Sequence, residues 1–255
     1  MSFVDTHCHL YVEDFAEDIE GIIQRAENEG VKKFYLAAID SDSTKALLGL
    51  EKRFRGKCFA MTGLHPCSVK ANFEEELKLV EQSLKARKFV AIGEIGLDFY
   101  WDRNFDKEQY MAMNQQIEWA LHYDLPIVIH SRDSMAQTIE VVRSHQRGGL
   151  RGIFHCFTAD YESATQIMDL GFYMGIGGVV TFKNSKLPQV IEKIGLSHVV
   201  LETDAPYLTP APFRGKRNES SYIKYIADKL AEIMRISKEE VGAMTTANAE
   251  KIFGN

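Results

Sequence analysis

The chain has 255 residues, of which 45% are hydrophobic and 26% are charged, and its formal net charge is -6. This composition excludes disordered and fibrous proteins, and the length allows a substantial core in one large domain or two small ones. The acidic balance argues against a large basic surface for duplex DNA, although it leaves room for a local basic patch.

No apolar run approaches the roughly 18 residues that a membrane span needs, and the charged, histidine-bearing start differs from a signal peptide. We therefore expect a cytoplasmic protein without membrane contact. The four cysteines lack C-x-x-C spacing. Their scatter disfavours a disulfide framework or a thiolate zinc site.

Strand-like apolar runs alternate with helical patterns from one end of the chain to the other. Eight runs rich in Val, Ile, Phe and Leu predict strands buried on both faces, at residues 3–9, 33–38, 58–64, 89–97, 127–130, 152–155, 172–175 and 199–202. Two last helices follow a Pro-rich loop after the eighth run. This alternation predicts an α/β fold, a (β/α)8 TIM barrel forming a single domain over residues 1–255, with a doubly wound open sheet as the main rival.

Polar residues end most of these apolar runs. His7 and His9 share one side of the first predicted strand, because residues two apart on an extended chain point the same way. In a barrel, the C-terminal ends of the strands surround one axis, so polar residues there converge. The candidates for such a cluster are His7, His9, His65, Glu94, His130, His155 and Asp204.

Four imidazoles and two carboxylates match a binuclear site for divalent metals that favour mixed nitrogen and oxygen ligands, such as Zn or Mn. Glu94 lies between glycines that allow close approach and is the best candidate for a bridging carboxylate. Asp204 would bind the first metal and act as general base towards an attacking water. For His65, which precedes a proline, metal ligation and substrate contact both remain open.

Glu94 and Asp204 have an alternative role as buried ion-pair partners. A strand-end carboxylate without an adjacent basic residue is costly to bury unless it is paired or metal-bound, which favours the metal site. Glu202 and Asp5 are predicted to lie behind the ligands and orient them, with Asp5 on the side of His7.

The loop that contains Arg214, Lys216 and Arg217 is the densest basic stretch of this acidic chain. It is either a solvated turn or a phosphate-binding loop, and Arg132 could add to phosphate contact. Four aromatic residues in the strand-end loops could stack on unpaired bases, although core packing explains single aromatic residues equally well: Tyr100, Trp101, Phe157 and Tyr207.

Seven motifs in order along the chain resemble those of the TatD-type metal-dependent hydrolases, a family of the amidohydrolase superfamily of barrel enzymes. They are FVDTHCHL at residues 3–10, GLHP at 63–66, IGEIGLD at 92–98, IHSR at 129–132, HCF at 155–157, ETDAP at 202–206 and RGKRN at 214–218. Five positions differ from the family's usual residues, and none of them is a predicted metal ligand: Tyr11, Ser134, Ala136, Ala159 and Ser220.

The resemblance implies a (β/α)8 barrel with two divalent metal ions (Zn, Mg or Mn) and deoxyribonuclease activity, often that of a 3′-to-5′ exonuclease favouring single-stranded nucleic acid. By analogy, one ion is bound by His7, His9 and Asp204, the second by His130 and His155, and both by Glu94. Our leading hypothesis is therefore phosphodiester hydrolysis, with single-stranded DNA, or alternatively RNA, as substrate and no obligate protein partner. The alternatives are a metal-dependent hydrolase of a carboxylic ester, amide or aminoacyl-tRNA linkage, and a metal-dependent binding scaffold.

Overall fold

Parallel strands and helices alternate throughout the computed structural model, which describes residues 2–254. The strands are β1 (Phe3–Cys8), β2 (Val31–Leu36), β3 (Cys58–Ala60), β4 (Ile92–Asp98), β5 (Ile127–Arg132), β6 (Gly152–Phe154), β7 (Tyr173–Ile176) and β8 (Val199–Leu201). Each overlaps one of the eight predicted runs. Neighbours in sequence pair in parallel within β1 to β3 and within β4 to β8.

One helix follows each strand, and a last one ends the described chain. The helices are α1 (Ile19–Asn28), α2 (Ser41–Arg53), α3 (Phe73–Ala86), α4 (Asp106–Tyr123), α5 (Met135–His145), α6 (Tyr161–Asp169), α7 (Leu187–Ile194), α8 (Ile223–Met234) and α9 (Lys238–Phe253). α1 buries Ile19, Ile22 and Ile23, the stripe expected of a helix on a sheet. In residues 2–254 no helix combines the length and apolar character needed to cross a membrane.

Backbone hydrogen bonds bridge both seams between the two groups of strands. At the seam of β3 and β4, the Gly93 N–H donates to the Thr62 carbonyl over 2.9 Å. At the seam of β8 and β1, the Asp204 N–H donates to the His7 carbonyl, also over 2.9 Å. The strands therefore follow one another around a closed circle. This confirms the predicted (β/α)8 barrel and excludes the open sheet.

The interior of the barrel is filled with side chains rather than hollow. Its lining residues are Val4, Tyr35, Ala37, Met61, Ala91, Val128, Ile153 and Val200. α9 covers the N-terminal end of the barrel, where the Phe253 ring stacks on Tyr35 at a centroid distance of 3.9 Å. Because that end is closed by packing, the C-terminal ends of the strands are where polar side chains can meet.

Candidate metal centre

Glu94, near the middle of β4, lies between two sets of histidines. Its Oε2 atom is 3.1 Å from His7 Nε2 and 3.6 Å from His9 Nε2. Its Oε1 atom is 2.9 Å from His130 Nδ1 and 3.6 Å from His155 Nε2. The two oxygens of one buried carboxylate thus face two different pairs of imidazoles, which is the arrangement that a bridging ligand requires.

Asp204 approaches the same cluster from the loop after β8. Its Oδ1 atom lies 3.5 Å from His9 Nε2, 3.7 Å from His7 Nε2 and 3.9 Å from His155 Nε2. Burial alone would raise the pKa of this carboxyl, but the neighbouring histidines, His155 first, outweigh it and lower the pKa. Asp204 is therefore a carboxylate at neutral pH.

The hydrogen bonds behind His9 and His130 determine which ring nitrogen is free. Tyr11 donates its hydroxyl hydrogen to the Ala37 carbonyl over 2.7 Å, so its oxygen accepts from His9 Nδ1 at 3.2 Å. His130 Nε2 lies 2.9 Å from a buried Asp98 carboxylate oxygen and donates to it. In the neutral form of both rings, the nitrogen that faces Glu94 then keeps its lone pair, as metal ligation needs.

Glu202 lies on the side of the His155 ring that faces away from Glu94. Nδ1 of His155 is 3.0 Å from Glu202 Oε1, although the angle falls short of hydrogen-bond geometry and His155 Nδ1 has no other partner in the described chain. We interpret the contact as electrostatic. Burial lowers the pKa of His155, yet Glu202, Glu94 and Asp204 together raise it to about 10. The cluster therefore attracts positive charge strongly.

Gly175 of β7 makes room for Glu202. A Cβ atom at residue 175 would lie 2.0 Å from Glu202 Oε2, so any larger side chain would displace the carboxylate. Glu202 also accepts the Cys156 N–H over 2.6 Å, which fixes the chain directly after His155. The support of His155 thus depends on two neighbouring strands.

His65 faces the cluster with its Nε2 atom. Its Nδ1 atom accepts the Cys67 N–H over 3.0 Å, so the neutral ring carries its hydrogen on Nε2, 3.3 Å from Glu94 Oε1. Burial lowers the pKa of this imidazole, which keeps the ring neutral. Distance alone would allow His65 to bind a metal together with Glu94 and His130. The occupied Nδ1 lone pair argues for the substrate-contact alternative instead.

The donor set fits divalent metal ions. Among residues 2–254, four groups each have ligand atoms within 4.8 Å of one another: His7, His155 and Asp204; His7, His9 and Glu94; His65, Glu94 and His130; and His155, Cys156 and Glu202. His7 Nε2 and His9 Nε2 are 3.2 Å apart, and His7 Nδ1 is buried without a hydrogen-bond partner among residues 2–254. A cation held between these imidazoles and carboxylates would bind the lone pairs of His7 Nε2 and His9 Nε2, and such mixed nitrogen and oxygen sites suit Zn or Mn.

Asp5 supports the loop that carries Asp204 instead of contacting His7. Its carboxylate accepts the Thr203 N–H (2.9 Å), the Thr203 hydroxyl (2.6 Å) and the Ser220 hydroxyl (2.5 Å). The register between β1 and β2 is irregular between Asp5 and Cys8. Alternation of side chains along β1 therefore did not identify Thr203 and Ser220 as the partners of Asp5.

The predicted phosphate-binding residues differ in their availability. Arg217 forms an ion pair with Asp18 at 2.7 Å and lies over the Phe15 ring, so its charge already has a partner. Arg214 stacks on Phe182 at 3.8 Å, and Lys216 projects from the same exposed loop. Over residues 2–254 neither has a carboxylate partner in an ion pair. Arg214 and Lys216 therefore remain candidates for phosphate contact.

Sequence reasoning assigned no role to two residues that touch the histidines. Asp98 lies four residues after Glu94 on the same side of β4, so alternation could have identified it as a partner for a neighbouring strand end. Tyr11 occupies a position where the resemblance leads one to expect an acidic residue. Asp98 and Tyr11 each contact the ring nitrogen of a predicted ligand that faces away from Glu94.

Comparisons with known proteins agree with this architecture. The family model described as TatD related DNase matches residues 4–254. The Bacillus subtilis protein YabD, named an uncharacterized metal-dependent hydrolase, is 39% identical over 251 residues, covering 98% of both chains. Escherichia coli YcfH, named in the same way, is 30% identical over 99% of this chain and 96% of its own. The crystal structure of Escherichia coli YjjV, a TatD homologue, superimposes with a TM-score of 0.93 at 30% identity, covering 99% of this chain and 98% of that one.

Proposed function

We propose that this chain, which belongs to the TatD family of metal-dependent hydrolases, is a deoxyribonuclease that shortens single-stranded DNA from its 3′ end. The observation that carries the proposal is Glu94, whose two oxygens face different histidine pairs beside the ionised Asp204. We propose His7, His9, Glu94 and Asp204 as ligands of one divalent ion, and Glu94, His130 and His155 as ligands of a second. Zn, Mg and Mn are the candidate metals.

When bound, such ions would supply positive charge to phosphoryl oxygens and would make water a stronger nucleophile near neutral pH. The residues of the chain supply the rest. The Asp204 carboxylate accepts the proton of the attacking water, because it is ionised and lies beside both histidine pairs. His65 Nε2–H points into the cluster and donates a hydrogen bond to a phosphoryl oxygen. Asp98 and Tyr11 hold the rings of His130 and His9 in the required tautomers.

The choice of a nucleic acid over a small ester is supported by charge on the loop after β8. Asn218 donates to the Thr203 carbonyl over 2.7 Å, so this loop folds back beside the start of the Asp204 segment. Arg214 and Lys216 project from it without carboxylate partners among residues 2–254, and a guanidinium or ammonium in that state suits a phosphate. The family resemblance is what supports attack from the 3′ end.

The test is degradation of end-labelled DNA by protein reloaded with Zn, Mg or Mn. We expect 3′-to-5′ shortening of single strands, slower attack on duplex DNA, and loss of at least 100-fold in rate (roughly 3 kcal/mol) with chelator or with His130→Ala. His145→Ala is the matched control, because His145 lies on α5 and faces Glu118. This variant should retain full activity. Full activity of His130→Ala would contradict the site, and turnover of carboxylic esters without any attack on DNA or RNA would favour the ester-hydrolase alternative.

A further inference from the structure

Two large aromatic side chains lie side by side on the surface just beyond β4. Tyr100 is 52% exposed and Trp101 is 68% exposed, and their rings meet edge to face at a centroid distance of 4.9 Å. The Arg132 guanidinium lies 3.8 Å from the centre of the Tyr100 ring and 5.3 Å from that of Trp101. We call these three residues the aromatic platform. Adjacent exposed rings of this size are uncommon on a protein surface and mark binding sites.

A single buried carboxylate connects the platform to the candidate metal centre. Asp98 Oδ1 accepts the N–H groups of Tyr100 (3.0 Å) and Trp101 (3.1 Å), while its Oδ2 accepts from His130 Nε2 (2.9 Å). Arg132 is aligned with Asp98 across the β4–β5 pair and follows His130 by two residues. The platform is therefore held at a fixed position beside the centre.

The chemistry of the platform is that of an unpaired nucleobase site. Flat aromatic faces stack on any base, and a guanidinium beside them can bind the adjoining phosphate. In the chain from residue 2 to 254, Arg132 forms no ion pair with a carboxylate, so its charge is available. Bases within a duplex are already stacked on each other and cannot reach such rings without unpairing.

We propose that the aromatic platform binds one unpaired base of the strand whose phosphodiester lies in the metal centre, with Arg132 contacting the neighbouring phosphate. The inference rests on the proposed nuclease function and goes further, because it assigns the residues that select single strands. These residues bind substrate and take no part in bond cleavage.

The first test measures binding without cleavage, in chelator, using a single-stranded thymidine octamer. Trp101 is one of two tryptophans, and the other, Trp119, is partly buried on α4. We expect the octamer to quench the fluorescence of the wild type, with the quenching lost in Trp101→Ala. Affinity should fall roughly 5- to 100-fold in Trp101→Ala and Tyr100→Ala, and less in Trp101→Phe, which retains a ring for stacking.

Tyr161→Ala is the matched control. Tyr161 is 48% exposed and has the Lys193 ammonium 5.4 Å from its ring centre, but it has no described contact with the histidine cluster. Its removal should leave quenching and affinity unchanged. Equal quenching in Trp101→Ala and the wild type, or unchanged affinity in both platform variants, would overturn the proposal.

The second test separates this inference from the proposed function. With metal-loaded protein, Trp101→Ala should raise KM for the octamer more than it lowers kcat, and the loss should be larger for the octamer than for methyl p-nitrophenyl phosphate, which has no base. Equal losses on both substrates would mean that Trp101 acts only through the fold around Asp98, and the platform proposal would be wrong. If the wild type cleaves neither substrate but still shows Trp101-dependent binding, the nuclease function fails and the platform stands.

Discussion

Asp98 divides its two carboxylate oxygens between the aromatic platform and His130. Asp98→Asn retains an oxygen to accept the N–H groups of Tyr100 and Trp101, but it sets an amide NH2 against the N–H of His130. The imidazole would then move its hydrogen to Nδ1, where it blocks the nitrogen facing Glu94. We expect metal affinity to fall roughly 10- to 100-fold, measured by competition with a chromophoric chelator.

Asp102→Asn is the control for this substitution. Asp102 lies in the loop that follows Asp98, but its carboxylate pairs with the half-exposed Lys70 at 2.8 Å and, within residues 2–254, contacts no histidine. Metal affinity should be unchanged in that variant. If Asp98→Asn binds metal as tightly as the wild type, then Asp98 does not set the tautomer of His130.

The donor types at the centre could be predicted from sequence, whereas their supporting contacts could not. Strand alternation brought out His7 and His9, and the flanking glycines brought out Glu94, because both patterns are local properties of the sequence. Arg217 pairs with Asp18, 199 residues earlier, and no local pattern contains that information. The hydrogen bond from the Cys67 N–H to His65 Nδ1 depends on the turn at Cys67, and the sequence did not indicate it either.

At the level of elements, the apolar runs located all eight strands but misplaced their ends. The third run was predicted to extend to Leu64, whereas β3 ends at Ala60. Residues such as Met61 and Leu64 are nevertheless buried, because the chain turns inward after β3 to present His65. Burial persists beyond the last residue of β3, so hydrophobicity alone overestimates the length of a barrel strand.

The loop after β8 is attached to α1 by a paired carboxylate. Arg25 donates from Nε and Nη2 to the buried Glu219, at 2.9 and 2.6 Å. Arg25→Met preserves the apolar stem but leaves the carboxylate unpaired. Because the Arg25 side chain is 48% exposed, we expect a loss of roughly 1–3 kcal/mol in the free energy of unfolding at pH 7, below the cost of a fully buried pair. Urea denaturation measures it.

The pH dependence of the stability loss in Arg25→Met distinguishes the contribution of the ion pair from that of side-chain packing. Burial would raise the pKa of Glu219, but Arg25 and Ser221 outweigh it and lower the pKa, so the stabilisation is present above the ordinary glutamate pKa and is lost as pH falls through the lowered value. In Arg25→Met the unpaired carboxyl protonates more readily. The difference from wild type should therefore shrink from pH 7 towards pH 4. Arg53→Met, which breaks an exposed pair with Glu20, should cost less than about 1 kcal/mol.

At the scale of the whole molecule, the candidate ligands come from β1, β4 and β5 and from the segments that follow β1, β6 and β8. Metal ions held by them would cross-link parts of the chain that separate on unfolding, and they would neutralise carboxylates gathered at one end of the barrel. Since the unfolded chain lacks this arrangement, bound metal should stabilise only the folded state.

Removing metal should accordingly lower the thermal midpoint of unfolding. At a free metal concentration of about 100 times Kd the stabilisation is about 2.7 kcal/mol, which for a chain of this size corresponds to roughly 5–10 °C. Thermal unfolding followed by circular dichroism, with and without chelator, tests this. His7→Ala and His130→Ala should each abolish only part of the metal-dependent shift in the midpoint, because the two residues belong to different ligand sets. Elemental analysis should show that each variant has lost a different part of the metal content. Equal midpoints with and without chelator, or unchanged metal content in both variants, would contradict a centre shared by the strands.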